Sequence, residues 1–385
     1  MRVLLIGEDP FVPHRYGERC SAKNSGNRVF QYATYAMLRK SGFFVETMPL
    51  ADLLNLSPRD IETLSARIDA VFSPALLLNP KSKHVDALKQ FTAFVQTFEK
   101  PFFCLGVGSE FPTHNVRTFV SLSRAAGYDK VLARFYEATE SAGGGVGLRG
   151  EFTQSVFRSL GLPDVPIFSC PSVFYLIDNP YWGRISDSES SHSLEGSDVV
   201  AHGLPTRKLV RLIAQMSLHS NVTYLCQDVF YGRLYCQSKS RRLWRTVVGR
   251  PFAQDLSELT DVFLFQDFPV WRAFLQSHTT SFVFGTRLHG SIAALLSGLP
   301  AVIWADSVRV LEVAESASLS LIKHMPHFTE SLHFDPAPTT AAIHRLATEL
   351  SLWFSQRGIP WQSGYNQSFE DEMSRVPFNY PSSNL

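Results

Sequence analysis

The chain is poor in cysteine, and the cysteines that it has are scattered. Five occur in 385 residues, and none forms a Cys-x-x-Cys pair. An odd, dispersed set favours reduced thiols over a disulfide framework or a structural zinc site. No group of His, Asp and Glu has the spacing of metal ligands either, so we expect no bound metal.

Long apolar runs are missing as well. The apolar start of the chain, Met1 to Gly7, turns polar at Glu8 and Asp9, which is too early for a signal-peptide core. Nowhere else does an uncharged apolar stretch reach the roughly 18 residues of a membrane span. We therefore expect no transmembrane segment and a cytoplasmic location.

The sequence has almost no excess of charge of either sign. Lys and Arg total 36 against 35 for Asp and Glu, a formal net charge of +1. This balance argues against a protein that coats a polyanion, and we expect no nucleic-acid partner. What the chain does have is 45% hydrophobic residues and 30 phenylalanines, which indicates a well-filled globular core.

Strand and helix patterns alternate along both halves of the chain. Apolar runs predict strands at 3–7, 43–47, 69–73, 102–106 and 146–148, then at 199–201, 222–226, 262–265, 282–284 and 301–304. Helical periodicity lies between them at 29–40, 83–99, 151–160, 206–217, 291–297 and 339–354. This alternation predicts mostly parallel sheets with helices on both faces.

A polar, serine-rich stretch between Asp178 and Ser197 indicates an exposed linker. We predict an α/β protein with a Rossmann-like domain over 1–180, a second over 195–335, and a C-terminal helix with an irregular tail over 336–385. Two such halves joined by a linker are the architecture of GT-B transferases. The active site is then expected in the interdomain cleft.

The richest motif follows the predicted strand 282–284. The strand ends at Gly285, and Arg287, Leu288 and His289 then begin a helix of small residues. A helix N-terminus favours anions, and an arginine there adds donors that match a carboxylate or phosphate. Histidine is suited to proton transfer near neutral pH. The motif predicts an anion-binding, acid–base unit; a surface arginine beside a structural histidine is the open alternative.

This motif is similar to the C-terminal signature of the polysaccharide pyruvyl transferase family. The shared pattern is Gly-x-Arg-x-His, a small-residue helix, Gly-x-Pro, an apolar strand, and an aspartate with a basic residue after it. Three further segments resemble the family in order: the Asn24–Asn27 loop, the Gly106-Val107-Gly108 strand end, and Arg149 with the Cys170-Pro171 segment downstream. Asn27 and Cys170 stand where many members have aspartate.

The resemblance implies an enzyme that moves the pyruvyl group of phosphoenolpyruvate onto a sugar, forming a ketal and releasing phosphate. Phosphoenolpyruvate is then a co-substrate, and no further cofactor is implied. Arg149 and Arg287 are expected to clamp the donor from opposite domains, with His289 as general acid and base. Leu288 and Arg309 are further substrate-binding candidates, although Arg309 could instead pair with Glu312 or Glu315.

The acceptor side rests on loop residues. Asn24, Gly26 and Asn27 are expected to contact the sugar acceptor, or else to form a tight turn. Gly106 and Gly108 are expected to allow close approach of the ligand, or else to make the turn after their strand.

Other polar features are weaker candidates. A basic cluster would suit an anionic lipid-linked acceptor and peripheral membrane association, or form a solvated helix face: Arg241, Arg242 and Arg245, with Trp244 among them. Three loop histidines are expected to be solvated: His14, His114 and His202.

Two other functions remain open at this point. One is a GT-B glycosyltransferase that uses a nucleotide sugar, although the pair of glutamates seven residues apart that many such enzymes carry is missing. The other is a non-catalytic carbohydrate-binding relative, which would bind a ligand tightly without turnover.

Overall fold

A computed structural model describes residues 1–13, 24–110, 115–187, 189–204, 206–227, 261–265, 267–277, 279–327 and 329–377. The basic cluster around Trp244 and the loop histidines His14 and His114 lie outside these ranges. Among the described helices, none is long and apolar enough to cross a membrane.

The first half of the chain forms a parallel sheet. Its strands are β1 (Arg2–Ile6), β2 (Phe44–Met48), β3 (Ala70–Ser73), β4 (Leu76–Leu78), β5 (Phe102–Ser109) and β6 (Gly145–Leu148). They are ordered β2-β1-β3-β5-β4, with β6 also paired to β5. Side chains alternate between the faces, so Val3 and Leu5 enter one apolar cluster while Leu4 and Ile6 enter another. Both faces of the sheet are therefore buried.

Helices cover both faces of this sheet. They are α1 (Gly26–Lys40), α2 (Leu50–Leu54), α3 (Pro58–Arg67), α4 (Ser82–Phe98), α5 (Val116–Ala125), α6 (Tyr128–Ser141), α7 (Glu151–Leu160) and α8 (Pro171–Phe174). Ser57 and Asp60 form a reciprocal capping box that begins α3. The sequence patterns did not anticipate α2, α5, α6 or β4.

A second parallel sheet follows the segment that we predicted to be an exposed linker. That prediction is only partly right, because β7 (Ser190–Ser193) pairs antiparallel with a strand near residue 332, and Trp182 and Leu194 are buried. The sheet itself contains β8 (Val199–His202), β9 (Val222–Leu225), β10 (Asp261–Phe263), β11 (Phe282–Gly285), β12 (Ala301–Trp304) and β13 (Leu321–Ile322). Its order is β10-β9-β8-β11-β12-β13.

Within the described residues, the remaining elements of the second half are four helices, the partner strand of β7, and a C-terminal helix pair. In chain order they are α9 (Arg207–Met216), α10 (Phe268–Ser277), α11 (Leu288–Leu295), α12 (Val308–Ser316), β14 (Ser331–Phe334), α13 (Ala337–Ser355) and α14 (Gln367–Met373). The two parallel sheets with their helices confirm the predicted α/β class with two Rossmann-like halves.

The C-terminal region returns to the first sheet. On α13, the Phe354 ring lies 5.1 Å from that of Phe103 on β5. The prediction of an irregular tail is wrong, since α14 places Glu370 in the interior. The Glu370 carboxylate accepts hydrogen bonds from Tyr32 (2.8 Å), Tyr175 (2.5 Å) and Arg272 (2.5 Å). Because these donors come from both halves, the C-terminal tail connects the two halves.

Candidate active site

A cavity of about 660 Å³ lies between the two sheets at the carboxyl ends of their strands. Its walls are built from residues that directly follow strands: Asn79 after β4, Glu110 after β5, Thr286 after β11, and Asp306 shortly after β12. Parallel sheets bind ligands at this edge. We call this space the first cavity.

The motif predicted from the sequence lines the first cavity. Arg287 is the residue before α11, and Leu288 and His289 form the first turn of that helix. The helix begins one turn earlier than the 291–297 segment predicted from the sequence. Within the described residues, the Nε of Arg287 has no hydrogen-bond partner. The strand, glycine and helix start therefore bring an arginine and a histidine to one wall, as expected.

A second cavity of about 580 Å³ adjoins the first on the side of the first sheet. Arg149, which follows β6, and Asn27 line it, together with apolar residues of α2 and α4. Arg309 and His84 line both cavities, so the two spaces meet at these side chains. We call this space the second cavity.

The Arg149 side chain is buried and short of partners. It is 1% exposed, and neither its Nε nor its Nη1 has a hydrogen-bond partner among the residues that the structure describes. Its backbone N–H donates to the Val107 carbonyl at 2.8 Å, which fixes the chain beside β5. Two donors of this buried cation are therefore open to an anion that enters the cavity.

Gly106 and Gly108 make room for Arg149. A Cβ on Gly108 would lie 2.6 Å from the Arg149 Cδ and 2.7 Å from the Glu312 Oε1. Gly106 has a positive φ of 60°, and a Cβ there would lie 3.0 Å from the Pro74 carbonyl oxygen. In the described structure neither glycine lines either cavity. Gly108 leaves space for the Arg149 side chain, and Gly106 allows the backbone turn.

The N-terminal loop joins the two halves beside His289. The Asn24 Oδ1 accepts a hydrogen bond from the Gly26 N–H at 2.8 Å, and the Ser25 N–H donates to the Gln227 carbonyl at 2.8 Å. A Cβ on Gly26 would lie 3.1 Å from the His289 Cβ. Asn24 lines the first cavity and Asn27 the second. The loop is thus both a turn and a cavity wall.

Positive charge dominates the site. Burial is the main cause that holds the pKa of His289 well below its usual value, and the charges of Arg309, Arg149 and Arg287 act in the same direction. Burial also lowers the pKa of Arg309 to about 10, with the charge of Arg149 as the next cause. His289 is therefore a neutral imidazole in the empty site.

The acidic partners differ from those proposed from the sequence. Arg309 pairs with Glu110 at 3.9 Å, while Glu315 pairs with Lys323 at 2.5 Å. Glu312 accepts hydrogen bonds from the Thr153 hydroxyl (2.8 Å) and N–H (3.2 Å). The alternative that Arg309 pairs with Glu312 or Glu315 is therefore wrong.

Glu312 was missed by sequence reasoning. It is 3% exposed, and burial raises its pKa to about 7 against the opposing effects of Thr153 and Arg149. It lies one helical turn after Arg309 on α12, and this spacing is the only sequence signal that pointed to it. The Asn79, His84, Glu110 and Gln227 side chains were also missed, although most of them follow a strand end.

Two further residues pack against the start of α11. The Cys170 Sγ lies 3.5 Å from the His289 Nε2. His202, expected to be solvated, is buried, and its Nε2 lies 3.2 Å from the Ser291 Oγ. Burial lowers the pKa of His202 to about 3, so it is a neutral structural histidine.

Metal ligands do not cluster here. Among the described residues, no group of three or more His, Cys, Asp or Glu is placed to hold a metal ion.

The comparisons with known proteins agree with the motifs. The model of the polysaccharide pyruvyl transferase family matches residues 24–305. The chain therefore belongs to the polysaccharide pyruvyl transferase family. A search among curated proteins gave no match.

A search among solved structures gave matches that include three proteins. Anabaena HepE, solved with UDP-glucose, is 13% identical, with a TM-score of 0.42 over 94% of this chain and 92% of that chain. S. aureus MnaA, solved with UDP, is 9% identical, with a TM-score of 0.40 over 98% and 99%. A putative UDP-N-acetylglucosamine 2-epimerase from Listeria monocytogenes is 12% identical, with a TM-score of 0.41 over 98% and 92%.

Proposed function

We propose that this chain transfers the pyruvyl group of phosphoenolpyruvate onto a sugar of a polysaccharide or its precursor, forming a pyruvate ketal and releasing phosphate. The observation that carries the proposal is the buried Arg149 guanidinium at the second cavity, whose Nε and Nη1 have no hydrogen-bond partner in the described structure. A small dianion or trianion that enters this site satisfies donors that the protein leaves open.

The donor fits the arrangement of the three arginines. Phosphoenolpyruvate carries a carboxylate and a phosphate on one small skeleton, and each group accepts the forked donors of an arginine. Arg309 lines both cavities, with Arg149 in the second and Arg287 in the first. A ligand at the junction thus meets positive charge from both halves. The charges of these same arginines act on His289, which places them around one imidazole.

His289 has a defined protonation cycle in this proposal. The empty site keeps its imidazole neutral, but the negative charge of phosphoenolpyruvate offsets the arginines and favours the imidazolium. The imidazolium donates its proton to the methylene carbon, which leaves an oxocarbenium-like centre at C2. A sugar hydroxyl attacks C2 and returns its proton to His289. General acid–base catalysis of this kind contributes roughly 10²–10⁴-fold.

Loss of phosphate completes the ketal. The C2–O bond to phosphate breaks with its electron pair on the leaving oxygen, and a second sugar hydroxyl bonds to C2. The proton of that second hydroxyl leaves with the phosphate, so atoms and charge balance. Polar side chains of the first cavity supply partners for the sugar: Asn24, Asn79, Lys81 and His84.

Phosphate release tests the proposal. Wild type, His289→Ala and Arg287→Ala are incubated with phosphoenolpyruvate and a panel of hexoses, sugar nucleotides and lipid-linked sugars. Acceptor-dependent release that collapses in both variants is expected. Arg345→Ala is the matched control, since Arg345 is an exposed arginine paired with Glu349 at 3.3 Å.

A negative result also has a clear meaning. No release with any acceptor, together with no thermal stabilisation by phosphoenolpyruvate, would reject the pyruvyl donor. The same panel run with nucleotide sugars alone then tests transfer of a glycosyl group in its place.

A further inference from the structure

Cys170 is the hydrogen-bond partner of the His289 ring within the described part of the chain. Its Sγ lies 3.5 Å from the imidazole Nε2. The thiol is fully buried at the start of α8, in the first half of the molecule, whereas His289 begins α11 in the second. The contact therefore crosses between the halves at the residue on which the proposed chemistry depends.

We propose that Cys170 is a positioning residue: its thiol accepts the Nε2–H of His289 and so leaves Nδ1 as the ring nitrogen that exchanges protons with the substrates. The inference rests on the proposed role of His289 as the acid and base. The inference goes beyond that role because it assigns the tautomer of the His289 ring and names Cys170 as the residue that sets this tautomer.

The thiol is itself held in place. The Ser172 Oγ lies 3.1 Å from the Cys170 Sγ, and Ser172 is fully buried as well. A hydroxyl can donate to the sulfur while the sulfur accepts from the imidazole, which gives a chain from Ser172 through Cys170 to His289. Restricting the ring in this way keeps the reacting nitrogen aimed before substrate arrives.

The other neighbours of the imidazole cannot play this part. Arginine side chains carry donors only, so the arginines that face His289 cannot accept its N–H. The Phe30 ring on α1 lies 5.1 Å from the imidazole and is apolar. Beneath the helix, His202 is neutral and bonded to Ser291.

Among the described residues, the charged groups that act on the imidazole are three arginines. Arg149 faces it from the end of β6, Arg287 from the start of α11 and Arg309 from α12. On α10, Arg272 is engaged by Glu370 instead. The Cys170 sulfur is thus the acceptor for the ring N–H in a cationic site. A carboxylate in its place would favour the imidazolium, so Cys170→Asp is expected to raise the pKa of His289.

The ring nitrogens of His289 report the contact directly. The protein has 12 histidines, so ¹⁵N-histidine labelling with a His289→Gln reference spectrum identifies this ring. Wild type and Cys170→Ser are expected to show one tautomer, protonated at Nε2, whereas Cys170→Ala shows a mixture. Cys226→Ala, which removes another buried thiol, is the matched control and is expected to match wild type.

Kinetics separate positioning from simple packing. In Cys170→Ala, kcat is expected to fall about tenfold, a fraction of the acid–base contribution, while the KM for phosphoenolpyruvate stays within twofold because the arginines are intact. Cys170→Ser is expected to restore kcat. A Cys170→Ala ring spectrum that matches wild type, or a kcat that matches Cys226→Ala, overturns the proposal.

The proposal remains testable if the alanine variant fails to fold. Cys170→Asp then decides it: a raised His289 pKa supports the contact, and an unchanged pKa overturns it. These spectra do not depend on turnover. A wild-type protein that is inactive with phosphoenolpyruvate rejects the proposed function, while the tautomer result still shows whether Cys170 holds the ring.

Discussion

Arg149 and Arg309 line one cavity from opposite halves of the molecule. Arg149 follows β6 of the first sheet, and Arg309 lies in the first turn of α12 after β12 of the second. The positive charge of each arginine lowers the pKa of His289, so both charges act on the same imidazole. The proposed anion site therefore needs both halves of the molecule.

The buried charge of Arg149 is expected to destabilise the protein when no ligand is bound. Replacing this buried cation, whose Nε and Nη1 lack hydrogen-bond partners in the described structure, by methionine keeps the apolar stem and removes the charge, which should stabilise the fold by roughly 1–4 kcal/mol. The same change should abolish thermal stabilisation by phosphoenolpyruvate. Thermal unfolding with and without phosphoenolpyruvate measures both effects. Arg158→Met, at an exposed pair with Asp164, is the control. A lower Tm for Arg149→Met without ligand would contradict this account of the charge.

Gly108 is expected to tolerate no side chain. In Gly108→Ala the new methyl would meet the Arg149 Cδ at 2.6 Å and the Glu312 Oε1 at 2.7 Å, and both must move. Overpacking of this kind costs about 1–3 kcal/mol, and here it should also weaken phosphoenolpyruvate binding. Chemical denaturation and ligand titration measure the two losses. Gly183→Ala, where a Cβ meets nothing within 4 Å, should change neither.

Glu312 is expected to make stability depend on pH. Its pKa is raised from an ordinary 4.5 to about 7, so the folded state binds more protons between these values. Its contribution is fully present below about pH 4.5 and is lost as pH rises through about 7, a change of order 1–3 kcal/mol. Urea unfolding from pH 5 to 8 should show the decline in wild type and a flatter curve in Glu312→Gln. An equal pH dependence of the free energy of unfolding in wild type and Glu312→Gln would contradict the raised pKa of Glu312. Glu349→Gln, at an exposed carboxylate, is the control.

His289 is expected to take up a proton when phosphoenolpyruvate binds. The protein alone lowers the pKa of His289, and the bound anion raises it, so binding should be accompanied by proton uptake. Calorimetric titration in two buffers of different ionisation enthalpy measures the uptake. His289→Gln should remove the proton uptake by His289. The proton uptake by the phosphate and by Glu312 should remain. An identical buffer dependence in both proteins would show that His289 stays neutral.

Local sequence patterns were enough to predict most of the described strands, some of the described helices and one wall of the site. Gly285, Arg287 and His289 lie within five residues, so a strand end and a helix start place them without knowledge of the rest. The α/β alternation likewise fixed both parallel sheets. The elements that escaped prediction include short ones such as β4 and α2, which carry too few residues for a period to emerge.

Contacts between residues that are distant in the sequence could not be predicted from local patterns. Tyr32 and Glu370 are 338 positions apart, and the short helix α14 carrying Glu370 is held in place by donors from elsewhere in the chain. The Cys170–His289 contact spans 119 positions and the Thr153–Glu312 pair spans 159. Such pairs depend on how the two halves meet, which a single sequence does not encode in any local pattern. The burial of His202 beneath α11 escaped for the same reason.

The fate of C2 of the donor tests the central claim most directly. Phosphoenolpyruvate labelled with ¹³C at C2 is incubated with the protein and an active acceptor, and the products are followed by ¹³C and ³¹P NMR. The account predicts that the enol carbon becomes a ketal carbon bonded to the sugar, with one phosphate released for each ketal formed. Labelled pyruvate as the sole product, or phosphoenolpyruvate left unchanged while a sugar nucleotide is consumed, would contradict it.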